Sequence, residues 1–130
     1  MRVYAENFEK IGFTESEFEA PVISGATMRV RAIRLPLLHG HPLLSEGHGP
    51  YSGWLVFSGV THSSRIVFEH IGGPMAPGGF KEPYRVEDGP FPLMENVPQN
   101  EYAFEGRQVD PWAWIDNWIV TAESFRLEVE

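Results

Sequence analysis

The sequence predicts a mainly β fold, an antiparallel β-sandwich or barrel (the jelly roll being one such arrangement) with little helix. Three observations carry this. Short apolar stretches are separated by frequent turn residues, with 13 Gly and 11 Pro in 130 residues, the punctuation expected of many short strands. Several segments alternate apolar and polar side chains with period two, which buries one face of an extended strand. Sustained 3.6-residue periodicity is almost absent. The length fits one domain over residues 1–130, large enough to bury roughly two-thirds of its unfolded surface. Aromatic residues make up 13% of the chain, so rings are expected to dominate the core.

Taken in order, residues 4–18 are weakly patterned. Thr14 with Glu17 reads as a small capping box opening one helical turn, which must end before Pro21. In residues 26–38, Met28, Val30 and Ala32 alternate with Arg29 and Arg31, after which Ile33, Leu35 and Leu37 take the opposite parity. A one-residue slip of that kind is what a β-bulge supplies. Residues 39–53 are rich in Gly, Pro and His and read as a loop. Residues 53–60 and 64–71 read as two strands, and the short link Thr61-His62-Ser63 predicts that they pair as a hairpin. Both carry apolar residues on both parities near their centres, as strands covered on two faces do.

Residues 72–79 read as an irregular loop, residues 84–86 as a short strand and residues 89–100 as an extended connection with three prolines. Tyr102 and Phe104 alternate with Glu101 and Glu105 in a further strand. Residues 112–119 satisfy two patterns. Trp112, Ile115 and Ile119 share a helical face, whereas Trp112, Trp114 and Trp118 share a strand parity. The terminal segment alternates Phe125, Leu127 and Val129 with Arg126, Glu128 and Glu130, a half-buried strand.

The absence of cysteine removes disulfides, thiolate metal sites and a cysteine nucleophile. It fits a reducing compartment. Residues 1–13 carry charges throughout, unlike a signal peptide, and no apolar window approaches a membrane span. The expected setting is cytoplasmic, with no membrane partner. The net charge is −8, and it is uneven: residues 1–50 carry five basic and six acidic side chains, residues 51–130 five and twelve. Such a field repels nucleic acid and attracts a basic protein.

Four groupings invite a functional reading. Trp112, Trp114 and Trp118, with Asp110 and Asp116 beside them, form a candidate binding surface, since exposed aromatic rings anchor protein, peptide and sugar ligands. His39, His41 and His48, with Glu46 among them, offer imidazole and carboxylate metal ligands. Written as His39-x-His41-x4-Glu46-x6-Gly53, this spacing resembles the first half of the cupin metal motif, in which HxH and Glu hold a divalent metal inside a β-barrel. The resemblance covers residues 39–53 and departs from the motif at several points. Ile33 stands where the leading Gly is expected, and residues 47–52 read GHGPYS in place of a hydrophobic strand. The second half would put Glu82 and Val86 at its His and Asn positions. The residues Thr61-His62-Ser63-Ser64 place hydroxyls beside an imidazole without a nucleophile-elbow pattern, and the glycine-rich residues 72–79 lack the lysine of a phosphate loop.

The leading expectation is a non-enzymatic binding or regulatory module that engages a basic protein partner through an acidic, Trp-containing surface and needs no cofactor. A cupin-like metal enzyme or sensor using His39, His41, Glu46 and His48 is the alternative, and a carbohydrate-binding module the second. Exposed strand edges would also permit a homodimer.

Overall fold

The alternation seen in the sequence is realised as ten strands in a computed structural model, which describes residues 2–46, 49–72, 78–109 and 112–130 (at 45 and 46 the backbone alone). The strands are β1 (Arg2–Tyr4), β2 (Glu17–Phe18), β3 (Val22–Ser24), β4 (Thr27–Leu35), β5 (Tyr51–Ser58), β6 (His62–Glu69), β7 (Tyr84–Asp88), β8 (Asn100–Gln108), β9 (Ala113–Ala122) and β10 (Ser124–Val129). Among the described residues helical structure is confined to short 3-10 turns at Phe8–Lys10, Phe13–Glu15 and Pro42–Glu46. The strands join in one open sheet of order β1-β10-β5-β4-β2-β8-β9-β6-β7, with β3 paired to β4. Every pairing is antiparallel except β2 with β8. No helix among the described residues is long and apolar enough to cross a membrane.

The sheet folds over on itself. Phe57 of β5 stacks on Phe104 of β8 at 5.9 Å between ring centroids, although β4 and β2 separate those strands in the sheet. Trp118 of β9 stacks on Phe104 at 4.7 Å, and Phe18 of β2 meets both edge-on. Phe8, from the first turn, wedges among Phe13, Phe57, Tyr102, Phe104 and Phe125. Edge-to-face and offset geometries of this kind add to the area that each ring buries.

The expected hairpin between residues 53–60 and 64–71 does not form. β5 pairs with β4 and β10, whereas β6 pairs with β7 and β9. Residues 59–61 are a corner where the chain passes from one half of the sheet to the other. Val60 is fully buried there, its N–H donating to the Ala26 carbonyl at 2.8 Å. A second corner lies against it: Glu123 alone joins β9 to β10, and its N–H donates to the carbonyls of Ser58 and Gly59. Strands that switch layers through bends are how orthogonally packed sheets make their corners.

Two bulges set which side chains face inward. In β4 the pairing with β5 shifts between Ala32 and Leu35, so Met28, Val30 and Ala32 are buried on one parity and Leu35 on the other. This is the slip read from the sequence, although Ile33 itself faces solvent at 44% exposure. In β9 the register against β8 and β6 shifts near Asp116 and Asn117. Asn117 takes φ +48°, with its N–H donating to the Asp116 carboxylate at 2.9 Å. Asn is among the few residues that accept the left-handed region. Before the bulge Ala113 and Ile115 point inward, and after it Trp118, Val120 and Ala122 do.

Trp114 and Trp118 therefore lie in a strand, and Trp112 in the turn just before it. The capping box is also absent. Gly12 precedes the turn at Phe13–Glu15, the Thr14 hydroxyl donates to Glu105 at 3.3 Å, and Glu17 belongs to β2.

Candidate functional site

Three separated stretches build an open cleft of about 710 Å³ on the β8 side of the molecule. The first is residues 8–15, held by two 3-10 turns. The second is residues 36–38, tied to the first by an isolated bridge from Ile11 to Leu37 and by hydrogen bonds from Gly12 N–H to Pro36 and from Leu38 N–H to Lys10. The third is the upper half of β8. Ile11, Phe13, Leu37, Leu38 and Phe104 supply apolar walls. Glu9, Glu15, Glu101 and Glu105 are the charged side chains of the lining, and none of the lining residues is basic. The volume lies in the range of ordinary ligand clefts, roughly 300–1,000 Å³. Four carboxylates around an apolar floor make a trough of negative potential, of a kind that complements cations carrying apolar groups.

Thr14 and Glu15 also line a neighbouring depression formed with Glu17, Arg34, Arg107 and Trp114. Beyond it, Arg107 and Trp114 border a third, with His70, Phe80 and Ala113. Trp114, which borders both depressions, is half-buried.

The expected tryptophan surface is divided by the β9 bulge. Trp112, Trp114 and Asp116 lie on the outward parity and are each half-buried. The Arg107 guanidinium sits 5.0 Å from the Trp112 ring centre, a cation–π contact that covers part of that ring. Trp118 is fully buried and cannot belong to a surface platform. Its indole N–H donates to the Ser63 hydroxyl at 3.0 Å. Asp110 lies outside the described residues.

Ser63 leads into a buried polar network. Its hydroxyl donates to Asp88 at 2.7 Å, Arg65 Nε donates to the same carboxylate at 3.2 Å, and Arg65 Nη1 donates to Gln108 at 3.0 Å. The Arg65 guanidinium also lies 5.1 Å from the Trp118 ring centre. Side chains that satisfy one another this fully fix β6, β7, β8 and β9 together. His62 is exposed and bonds Glu87 at 2.9 Å, so the neighbouring hydroxyl and imidazole point to opposite faces.

The histidine cluster is split as well. His39 is exposed and His41 is 3% exposed. Neither lies in a strand, so the alternation that would set both imidazoles on one face does not apply. His41 Nδ1 accepts the Leu43 N–H at 3.1 Å, which leaves the proton on Nε2, an atom that is buried without a hydrogen-bond partner. Burial lowers the pKa of His41 below the usual imidazole value, and the charge of Glu9 opposes that shift. His48 and the Glu46 side chain lie outside the described residues. Among the described residues no three His, Cys, Asp or Glu side chains converge on a metal-sized point.

No protein-family model, curated protein or solved structure significantly matches the chain. The site therefore stands on its own chemistry. The residues that build it escape a linear reading because they come from three distant stretches. Its one local signal is the pair Glu101 and Glu105, two acidic side chains on the outward parity of a strand.

Proposed function

We propose that this protein is a binding module whose partner is a protein carrying a basic, partly apolar segment, and that the segment seats in the cleft between residues 8–15 and β8. One observation carries the reading: the cleft joins an apolar floor to four carboxylates and has no basic lining residue. Trp114 lies outside this trough, in neighbouring depressions that also hold Arg34 and Arg107. The net charge of −8 attracts a cationic partner to the protein, and the four carboxylates of the cleft draw it to this face. A chain without cysteine needs no oxidising compartment, and we place the encounter in the cytoplasm.

The test is calorimetric titration with an acetylated octapeptide of alternating lysine and valine, at low and at moderate salt. Binding is expected at low salt and should weaken as salt screens the carboxylates. Charge reversal of both rim residues, Glu101→Lys with Glu105→Lys, should weaken it by tenfold or more. No binding at low salt, or full affinity in the doubly reversed variant, would overturn the reading.

A further inference from the structure

The cleft is bounded on one side by a strand edge to which, among the described residues, no strand is paired over Glu101, Ala103 and Glu105. The N–H groups of Arg107 and Val109 point away from β9 and donate to the carbonyls of Ser16 and Phe18, at 3.2 and 2.9 Å. Backbone direction alternates along a strand. Since the bulge lies on β9, the alternation along β8 runs back unbroken, and the N–H and C=O groups of Glu101, Ala103 and Glu105 face the same way. β2 meets β8 only at Arg107 and Gln108, because the chain ahead of Ser16 leaves the ladder for the 3-10 turn at Phe13–Glu15, which stays packed against β8 and reaches Glu105 through the Thr14 hydroxyl. Among the described residues no strand pairs with Glu101, Ala103 or Glu105 on that side. All three residues line the cleft.

We infer that the partner segment binds as an added strand, pairing its backbone with the edge at residues 101–105. This rests on the cleft reading above and specifies its mode. Edge strands are ready templates for another chain, and strand addition draws affinity from main-chain bonds and selectivity from alternate side chains. Glu101 and Glu105 project outward on the exposed side of β8, so every second residue of the incoming strand meets a carboxylate or Ala103. Lysine or arginine suits those positions, and Glu9 and Glu15 add further negative charge to the lining of the same cleft. The residues between point toward the apolar floor of Ile11, Phe13 and Phe104. The occupant is accordingly an extended segment of alternating basic and apolar residues. A second copy of this edge fits badly: antiparallel self-pairing about Ala103 would set Glu101 opposite Glu105 twice, and directly opposed like charges destabilise a sheet.

Three measurements with the lysine–valine octapeptide test this on the intact chain. The amides of Glu101, Ala103 and Glu105 should exchange with solvent at least tenfold more slowly when the peptide is bound. A peptide N-methylated at alternate residues, so that its bonding edge loses its donors, should bind at least tenfold more weakly. The variant Ala103→Pro should lose affinity by about tenfold. Its missing N–H faces the cleft, so no bond to β9 is removed, the one arrangement in which a strand tolerates proline. If the methylated peptide binds as tightly as its parent and the three amides keep their exchange rates, strand addition is overturned while the cleft reading stands. If the unmethylated peptide does not bind at low salt, both fall together.

Discussion

The Asp88 side chain is 5% exposed and that of Arg65 12%, so this pair is removed from water in a way that the surface pairs are not. Arg29 with Glu128 and Arg31 with Glu130 leave at least one partner wet and contribute little, about 0–1 kcal/mol. Removing one member of a buried pair strands the other. Asp88→Ala would leave a guanidinium beside Trp118 with Gln108 alone to bond it, and would free the Ser63 hydroxyl. The expected loss is about 3–5 kcal/mol, read from denaturant unfolding, whereas Glu130→Ala should change stability by less than about 1 kcal/mol. His41 gives a pH dependence of definite sign. Its folded-state pKa lies below the usual value of about 6.5, so below that pH the unfolded chain binds the proton more readily than the folded one. The contribution is fully present above about pH 6.5 and is lost as pH falls. Unfolding free energy measured between pH 7 and 5 should decline, and His41→Gln should flatten that part of the slope. Neither network was legible in the sequence. Ser63, Arg65, Asp88, Gln108 and Trp118 come from four strands, and His41 sits in a loop without periodicity.

The corners dominate at the level of the element. Gly59 takes φ +66° with its open side against Glu123, where an added Cβ would lie 2.7 Å from the Glu123 Cβ. Gly59→Ala therefore meets both a disfavoured backbone region and the backbone-anchored side of the neighbouring corner. A loss of about 1–3 kcal/mol is expected, measured by thermal and denaturant unfolding, and Gly25→Ala is the control. Gly25 also has positive φ but nothing near it, so it should lose less. The corner also explains the hairpin that did not form. A short polar link between two apolar runs has the same pattern whether the chain reverses or changes layer. The burial of Leu55, Val56 and Phe57 together, each fully enclosed, reflects strands covered on both faces, which the sequence did convey. Period two likewise conveyed β4, its bulge and β10. It lost the tryptophan segment because the extra residue at Asn117 flips the inward parity, giving two half-patterns that together resemble a helix. β1, β2 and β3 span two or three residues each, too few to show any period.

Across the whole molecule, β2 is the narrow link between two halves of the sheet, with two paired residues on either side. Backbone bonding alone would let those halves separate. The rings argue otherwise. Phe57 and Phe125 come from one half and Tyr102, Phe104 and Trp118 from the other, and they interleave around Phe8 and Phe18 in a single buried cluster. Opening either half would expose the aromatic surface of both, so the two should melt as one unit. Denaturant transitions followed by tryptophan fluorescence, which samples Trp118 in the core, and by far-ultraviolet circular dichroism, which samples every strand, should therefore coincide. Phe104 touches rings from both halves and is 6% exposed. Phe104→Ala should lower stability by about 3–5 kcal/mol and leave the two transitions superimposed at a lower midpoint. Two separated transitions in the parent chain would show that the narrow β2 link, and not the shared aromatic core, sets the cooperativity of this fold. The cleft would then be the first casualty, because its walls come from β8 on one side of that link and from residues 36–38, just beyond the end of β4, on the other.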